Sequence, residues 1–514
     1  EELNISQRFE DLESLKNDIV TRAREASELT IPYIFTGEDH QETNSFEKLY
    51  QNLGSYGVNN LSSRLLLALF PPNKPFFRMS IKKDVVNQLD MEAPGVSIEI
   101  KKSIQELEKV IQKSVENSDL RSILSMVGKQ LIIGGNSLLY MPDKGGIKVY
   151  NLENFNVKRD TYGNVLEVIS KEKISKHTLS EEIYKKIESE TDADNDIDEE
   201  DYDLYTRCYL KEGKWVFYQE ILEVLVSDVI TYDFEDTPFI PVRWTRIKNE
   251  SYGRGMVEDV IDDLKTLENL TKSVTETSLL SSQVKFIVNP SSNINLKQLI
   301  KSKNGEFIQG DINKIGTLQV DKTNDLQIGY NLINDITMRI SKAFMLNQGV
   351  QRQGERVTAT EVQTMANELE DTFGSIYSTL SRELQLPITK RFIKQLRFAN
   401  KIPELPFEDI DLEITTGLEA LGRRTEIVKL QEMLQVVGSL GEQGFQYFNV
   451  GEYINRYALE LGVDIDGLLK TDEQLQQEAQ QAQQGQMQQQ QQMMEQQVGM
   501  EAGKEMILND QAMD

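Results

Sequence analysis

The densest set of potential metal ligands is ESETDADNDIDEEDYD at 188–203, where Asp192, Asp194, Asp196 and Asp198 alternate like the first oxygen donors of a calcium loop. The sixth position is Ile197, where the sharp turn needs glycine, and the twelfth is Asp203, where a bidentate glutamate belongs. The run therefore reads as a self-repelling, solvated loop. His40 and His177 stand in polar contexts with no cysteine or histidine at ligand spacing, so neither a zinc site nor a Ser-His-Asp triad is supplied. Cys208, the single cysteine, cannot close an internal disulfide and is expected as a small buried hydrophobe. Asp262 and Asp263 offer paired carboxylates for hydrolysis, yet adjacent helical positions point to different sides, as on a solvated face. A G-x-x-x-x-G-K-S/T phosphate loop is missing: Gly128-Lys129-Gln130 and Gly213-Lys214-Trp215 lack the leading glycine and the magnesium-holding hydroxyl. Gly253-x-Gly255 is an incomplete dinucleotide fingerprint, and Gly134-Gly135 after the apolar LII reads as a strand-turn signal; both are taken as turns. The chain is read as a non-enzyme, with no cofactor and no metal.

The remaining candidates are basic or amide-bearing. In LNQGVQRQGERV at 346–357, Gly349 and Gly354 bracket Gln351, Arg352 and Gln353, with permissive backbone at both ends and little to bury. This loop is expected to be exposed and mobile. A second group, Lys285, Lys297, Lys301, Lys303, Lys314 and Lys322, forms a basic island in an otherwise acidic chain, suited to acidic partner surfaces.

Helices must position the loop. Downstream, Thr358 and Glu361 make a capping box, Thr accepting from an early backbone amide and Glu returning to the cap's own N–H. Val362, Met365, Leu369, Phe373, Ile376, Leu380 and Leu384 then recur at three- and four-residue spacing, a stripe of about 40 Å before Pro387. Upstream, Leu332, Ile333, Ile336, Ile340, Ala343 and Phe344 mark a shorter helix, and Val257, Val260, Ile261, Leu264, Leu267, Leu270 and Val274 an earlier one. Between these two lie VKFIV, GEFIQG and TLQV, short strand-like runs bounded by turn signals.

In the N-terminal half, Phe46–Phe70 has helical spacing and stops at Pro71-Pro72, and 96–116 and 120–133 are also expected to be helical. SLLYMP, IKVYN, LEVISKE, YDLYTRCYL, KWVFYQE and FIPVRWTRI alternate as antiparallel strands, giving a sheet with helices on one side. LSEEIYKKIES is helix-like and precedes the acidic run. From Pro403 to about Lys470 the chain is expected to be mostly helical, with turns at Gly417, Gly422, Gly438 and Gly441. From Thr471 the composition shifts to glutamine, which reads either as an induced helix meeting its symmetry mates or as a disordered tract.

With 514 residues the chain is long enough for several packed layers, and at 39% hydrophobic, with no apolar run of bilayer length, it is not expected to enter a membrane. The acidic, amphipathic EELNISQRFEDLESL has neither the basic nor the apolar region of a secretory signal, so the protein is expected to be made in the cytoplasm. A net charge of −27 argues against tight nucleic-acid binding, which needs a basic footprint.

The order helix, small α/β insert, helix, glycine-flanked loop, long helix resembles the portal, or head-tail connector, family of short-tailed bacteriophages. The residues that carry the resemblance are SYGRGMVEDVIDDLKTLENL at 251–270, ERVTATEV and ELEDTFGSIYSTLSRELQLP within 355–387, and IPELPFEDIDLEITTGLEALGRR at 402–424. SFEKLYQNLGSYGVNNLSSRLLLALFPPNKPFFRM at 45–79 is similar to the family's opening.

The resemblance implies an α+β, multidomain ring subunit of the portal type. In its terms 1–250 is a wing with an acidic insertion at about 181–203, 251–281 a stem helix, and 282–330 a clip. Then 331–346 is a second stem helix, 347–357 a tunnel loop, 358–400 a long spine helix, 401–470 a helical crown and 471–514 a Gln-rich tail. It further implies a homo-oligomeric ring of roughly twelve copies at one capsid vertex of the virion, assembled in the host cytoplasm, a closed head-to-tail arrangement. Double-stranded DNA would pass without sequence specificity. The terminase large subunit, the major capsid and scaffolding proteins and a tail adaptor would dock on it. Lys297, Lys301 and Lys303 of the clip would carry docking, and Gln348, Gly349, Gln351, Arg352, Gln353, Gly354 and Arg356 would line the channel. Arg352 and Arg356 would approach phosphates, or else pair with Glu355 or a neighbouring subunit. The acidity then suits a wall past which a polyanion slides, or serves solubility alone. The alternative function is a non-ring virion scaffolding or head-tail adaptor protein, which has no need of the 282–330 insert.

Overall fold

The computed structural model describes residues 4–37, 45–71, 76–82, 96–190, 200–281, 323–346, 372–402, 410–414 and 418–441, with shorter stretches within 285–318 and 445–457. They form two compact units, residues 1–418 and 419–514.

Helix α1 (Ile5–Glu28) is capped by Asn4, whose side chain accepts from the Gln7 N–H, and it buries Ile5, Phe9, Leu12, Val20, Ala23 and Ala26. Lys16 is buried on the same helix, its Nζ donating to the carbonyls of Leu152 and Phe155 at 3.0 and 2.8 Å. Helix α2 (Leu53–Leu69) starts later than the expected Phe46. The reason is tertiary: the Glu268 carboxylate accepts from the Tyr50 and Gln51 N–H groups, which therefore need no helical partner. After β1 (Phe77–Ile81) come α3 (Val96–Glu116) and α4 (Leu120–Gly134), where helical spacing predicts them. The LII run is the last turn of α4 and not a strand, because Gly135 at φ +73° adopts the left-handed conformation that ends a helix.

The strands are β2 (Asn136–Tyr140), β3 (Lys148–Tyr150), β4 (Phe155–Arg159), β5 (Val165–Ser175), β6 (Asp201–Lys211), β7 (Lys214–Ile221), β8 (Val224–Leu225), β9 (Ile230–Asp233) and β10 (Phe239–Arg243), with α5 (Glu181–Glu190) between β5 and β6. They make two sheets and not one: a three-stranded β10-β2-β3 and a six-stranded β4-β5-β6-β7-β8 with β9 also on β7, every pairing antiparallel. FNVKR and ITYD, which alternation does not single out, supply β4 and β9.

Helix α6 (Met256–Ser281) packs along α7 (Thr323–Ala343), close enough that a Cβ on Gly329 would lie 2.9 Å from Val274 Cγ2. Helix α7 begins at Thr323 and not at 331, so residues 323–330, read as part of the insert, are helical. Leu332, read as part of the apolar stripe, is 44% exposed, while Ile336, Ile340 and Phe344 are buried. Between the two helices β11 (Lys285–Val288) pairs antiparallel with β12 (Ile315–Leu318); GEFIQG lies outside the described residues.

Residues 372–380 are helical, and the chain does not stop at Pro387. Ser381–Gln385 form a π-turn in which the Leu386 N–H bonds the Ser381 carbonyl, and α8 (Leu386–Phe398) continues. Proline lacks an N–H and crowds the carbonyl four residues back, so a widened turn before it lets the helix run on. The segment expected to be mostly helical from Pro403 contains β13 (Ile410–Ile414), paired with β1. Helix α9 (Leu418–Ser439) runs straight through Gly422 and Gly438, which were expected at turns. Within the second unit the rings of Phe445, Phe448, Tyr453 and Tyr457 contact one another in sequence order at 5.2–6.3 Å. The Gln-rich tail lies outside the described residues.

Candidate functional site

The expected loop residues Gln348, Gly349, Gln351, Arg352, Gln353, Gly354 and Arg356, the capping pair Thr358 and Glu361, and Lys297 and Lys303, expected to carry docking, all lie outside the described residues. Lys301 is helical and exposed. What the structure describes is the helix that precedes this segment, to Leu346, and the helix that follows it, from residue 372.

On the upstream side, α7 delivers the chain to Leu346. Ile336, Ile340 and Phe344 bury one face of α7, and the Phe344 ring occupies the space a side chain at Gly57 would need, with Cγ 2.5 Å from the missing Cβ. The helix ends as Met345 turns to φ +56° and the Leu346 N–H bonds the Ser341 carbonyl. Arg339 meets Asp263 at 2.7 Å across the α6–α7 pair, largely in solvent, where such a pair adds little stability. Asp262 is exposed, so the Asp262-Asp263 pair is a solvated face with one structural ion pair.

On the downstream side the anchor is buried and polar. The Tyr377 hydroxyl donates to the Ala68 carbonyl at 3.1 Å and the Gln385 amide to the Leu69 carbonyl at 2.6 Å, tying the helix to the end of α2. Trp244 packs edge-on against Phe373 with ring centroids 5.7 Å apart. Glu383, on the π-turn, accepts from Arg243 Nη2 at 2.5 Å and from the Arg243 backbone N–H at 3.2 Å, and lies 3.7 Å from Arg159. Both guanidiniums are buried, and Arg159 also donates to the carbonyls of Ser251, Gly163 and Pro241. Burial pushes Arg159 down to about 10, against the pull of Glu383 and with the repulsion of Arg243 and Arg246. Among the described residues Arg243 Nη1 has no hydrogen-bond partner. About two turns on, Arg391 is 2% exposed and is clasped by Asp143 and Asp236 at 2.7 and 2.8 Å and by the Met141 carbonyl. Lys394 joins Asp236, and Lys390 joins Glu235 at 2.6 Å.

Helix α6 meets the sheets at Gly253-Arg254-Gly255, read from sequence as a turn. The backbone here crosses the end of α4 so closely that a Cβ on Gly255 would sit 2.4 Å from the Ile133 carbonyl oxygen. Asn136 staples the crossing, accepting from the Gly253 N–H at 2.7 Å and donating to the Gly253 carbonyl at 2.8 Å. At the outer end of α1, Glu167 is held below the usual carboxylate range: burial works against this, and the guanidiniums of Arg8 and Arg207, each at 2.8 Å, outweigh it.

The other candidates do not assemble into a reactive centre. Cys208 is fully buried, its thiol pushed up to about 12 by burial, 3.8 Å from the Thr237 hydroxyl. His177 is exposed; His40 and the run Asp192, Asp194, Asp196 and Asp198 lie outside the described residues. Among the described residues no group of three or more histidine, cysteine, aspartate or glutamate side chains could hold a metal, and no helix is long and apolar enough to cross a membrane. The anchors Arg159, Arg243, Glu383 and Arg391 are not singled out by sequence reading. The available signal is a lone charge inside an apolar run, as in FIPVRW and LPITKRFI.

Among the described residues, then, the segment 347–357 is preceded by a helix that ends in buried packing at Phe344 and followed, from residue 372, by a helix held by buried polar contacts, and α6 and α7 carry exposed apolar side chains. Leu279 on α6 and Ile328, Tyr330, Leu332 and Met338 on α7 are 44–67% exposed.

The family model described as bacteriophage head to tail connecting protein matches residues 2–469. The portal protein of Enterobacteria phage T3 is 38% identical over 465 residues, 89% of this chain and 86% of that protein. The portal protein of Escherichia phage T7 is 38% identical over 482 residues, 91% of this chain and 88% of that protein. A solved structure of the neck of an empty GTA particle aligns over 80% of this chain and 90% of that one, at 10% identity and a TM-score of 0.39.

Proposed function

The chain belongs to the bacteriophage head to tail connecting protein family, a structural and not an enzymatic family, and from that premise we propose that its copies close into a ring of roughly twelve at the capsid vertex through which double-stranded DNA is packaged and ejected. The observation that supports the ring is the exposed apolar surface of α7 among the described residues. Among the described residues Ile328, Leu332 and Met338 stay exposed on α7, as expected of a chain whose neighbour covers that surface. In a closed ring each copy presents one face to the next, and no apolar face stays open. Native mass spectrometry of the purified protein is expected to give a single closed oligomer near twelve copies. A monomer at micromolar concentration, or an open-ended distribution of sizes, overturns the ring.

Within that ring, residues 347–357 line the channel, and Arg352 and Arg356 touch passing phosphates. Many copies around one axis sum contacts that salt keeps individually weak, with a Debye length of about 8 Å. The basic insert, with Lys297, Lys301 and Lys303, docks the terminase large subunit and later a tail adaptor. The anchors described above hold the loop's supports still while DNA moves. In a packaging assay Arg352→Ala with Arg356→Ala is expected to leave the ring intact and to shorten the DNA retained after packaging stops. Lys301→Glu with Lys303→Glu is expected to leave the ring intact and to weaken motor docking in a salt-dependent way. Full-length retention by the first pair refutes the phosphate contact, and unchanged docking by the second refutes the clip assignment.

A further inference from the structure

A cavity of about 640 Å³ lies in the first unit between the last turn of α3, the β2–β3 hairpin and the end of α8. It is lined on one side by Ser114, Asn117 and Ser118 and floored by Phe392 and Leu396, which are 7% and 5% exposed. Phe398, 51% exposed, forms a wall, and the Lys144 ammonium sits 4.9 Å from its ring centroid. Lys401 stands at the opposite lip, just past the capped end of α8, where its N–H bonds the Leu396 carbonyl.

The charge here runs against the rest of the molecule. From Leu386 to Ile402 there are five lysines and arginines and no acid, in a chain of net charge −27. Asp143 and Asp236 are taken up by Arg391 and Lys394, and Glu235 by Lys390. Lys144 and Lys401 are exposed and form no ion pair among the described residues. Gln395 lines the cavity as well, its amide nitrogen donating to the Pro142 carbonyl at 2.6 Å, which fixes that side chain in place. The result is an apolar floor, two ammonium groups at the rim, hydroxyl and amide groups between them, and one carboxylate, Asp143, whose charge is met by Arg391 and Lys394.

We propose that this cavity binds an acidic peptide segment of a partner protein, seating one aliphatic or aromatic side chain on Phe392, Leu396 and Phe398 while its carboxylates meet Lys144 and Lys401. Pockets of this size bury a few side chains, with an apolar floor for affinity and a small number of polar groups for orientation. Two lysines with no carboxylate partner among the described residues favour carboxylates, and the electrostatic part of the affinity falls with salt. A nucleic-acid duplex, whose bases are stacked on one another, would use the lysines and leave the floor empty, which is why a peptide is favoured.

The test measures fluorescence anisotropy with the full-length protein at low salt. The probe is a fluorescein-labelled pool of hexapeptides carrying Asp or Glu at the outer positions and Leu, Phe, Tyr or Met at the two central ones. The pool is expected to bind, and its affinity to fall at least tenfold with Lys144→Glu plus Lys401→Glu and at least tenfold with Asn117→Trp. That tryptophan fills the cavity from an exposed position without altering charge. Circular dichroism and native mass spectrometry confirm that each variant folds and assembles as the parent does. No binding of the acidic pool overturns the proposal. So does equal binding of the same pool with Asn and Gln in place of the acids, or an unchanged affinity in Asn117→Trp. Tighter binding of a labelled oligothymidylate, lost with the two lysines, makes the site a nucleic-acid contact and also overturns it. The ring and channel reading stands or falls separately, on the oligomer mass.

Discussion

Glu383→Ala is expected to lower the stability of the first unit by about 3–5 kcal/mol, because it removes the single carboxylate shared by two buried guanidiniums. Arg243 already has one nitrogen without a partner among the described residues and would lose the acceptor of its other two donors. Arg159 keeps its three carbonyl acceptors, so Arg243 carries most of the loss. A chemical-denaturation midpoint measured on variant and parent reads the effect. The paired change Glu383→Leu with Arg243→Met is expected to recover a large part of it, since a buried ion pair exchanged for apolar groups of similar volume is close to neutral, whereas a half-removed pair is not. A loss under about 1 kcal/mol for Glu383→Ala, or a double variant as unstable as the single one, shows that the cluster is not the anchor of the long helix.

Gly255→Ala is expected to cost about 3 kcal/mol or to abolish soluble protein, at the upper end of what overpacking does. The new methyl would meet the carbonyl oxygens of Ile133 and Ile132 at 2.4 and 2.7 Å. Both belong to the backbone of the last turn of α4, which cannot move aside as a side-chain end can. The relevant comparison is Gly146→Ala, where nothing lies within 4 Å of the new Cβ and a change within about 0.5 kcal/mol is expected. Equal melting temperatures for Gly255→Ala and the parent would refute the close crossing. A loss confined to Gly255→Ala would place the close crossing of residue 255 over the end of α4 among the contacts that hold the first unit together.

Several elements could be read from residue order because their causes are local. The 96–116 and 120–134 helices follow from apolar spacing, and the long strands β5, β6 and β7 from alternation that one face of a sheet imposes. The burial of Cys208 was legible for a similar reason, since it sits on the inward positions of YDLYTRCYL with Tyr202, Leu204 and Thr206. Motif order carried the family, which a fold-level pattern could not do.

Other features depend on contacts hundreds of residues away. Helix α2 begins at Leu53 because a carboxylate at 268 takes the amides before it, and β13 is a strand because β1 offers it an edge. The long helix passes Pro387 because a π-turn widens the turn before it, while Gln385 and Glu383 within that turn find acceptors and donors at Leu69 and Arg243. No window of sequence contains both partners of such a pair.

The sequence by itself determined the class of the molecule: an acidic, non-catalytic, helix-and-sheet chain of the connector family, with a polar glycine-flanked loop between helices. Composition, periodicity and motif order are properties of neighbouring residues, and short-range sterics and burial translate them directly into elements. Only the tertiary structure decided that the strands split into two sheets, that Gly255 is a crossing and not merely a turn, and that Arg159, Arg243 and Arg391 are buried anchors instead of surface charges. A charged side chain goes inside only where a partner carboxylate and carbonyls meet it in space, and that meeting is made by the packing of distant elements, not by the residues beside it in the chain.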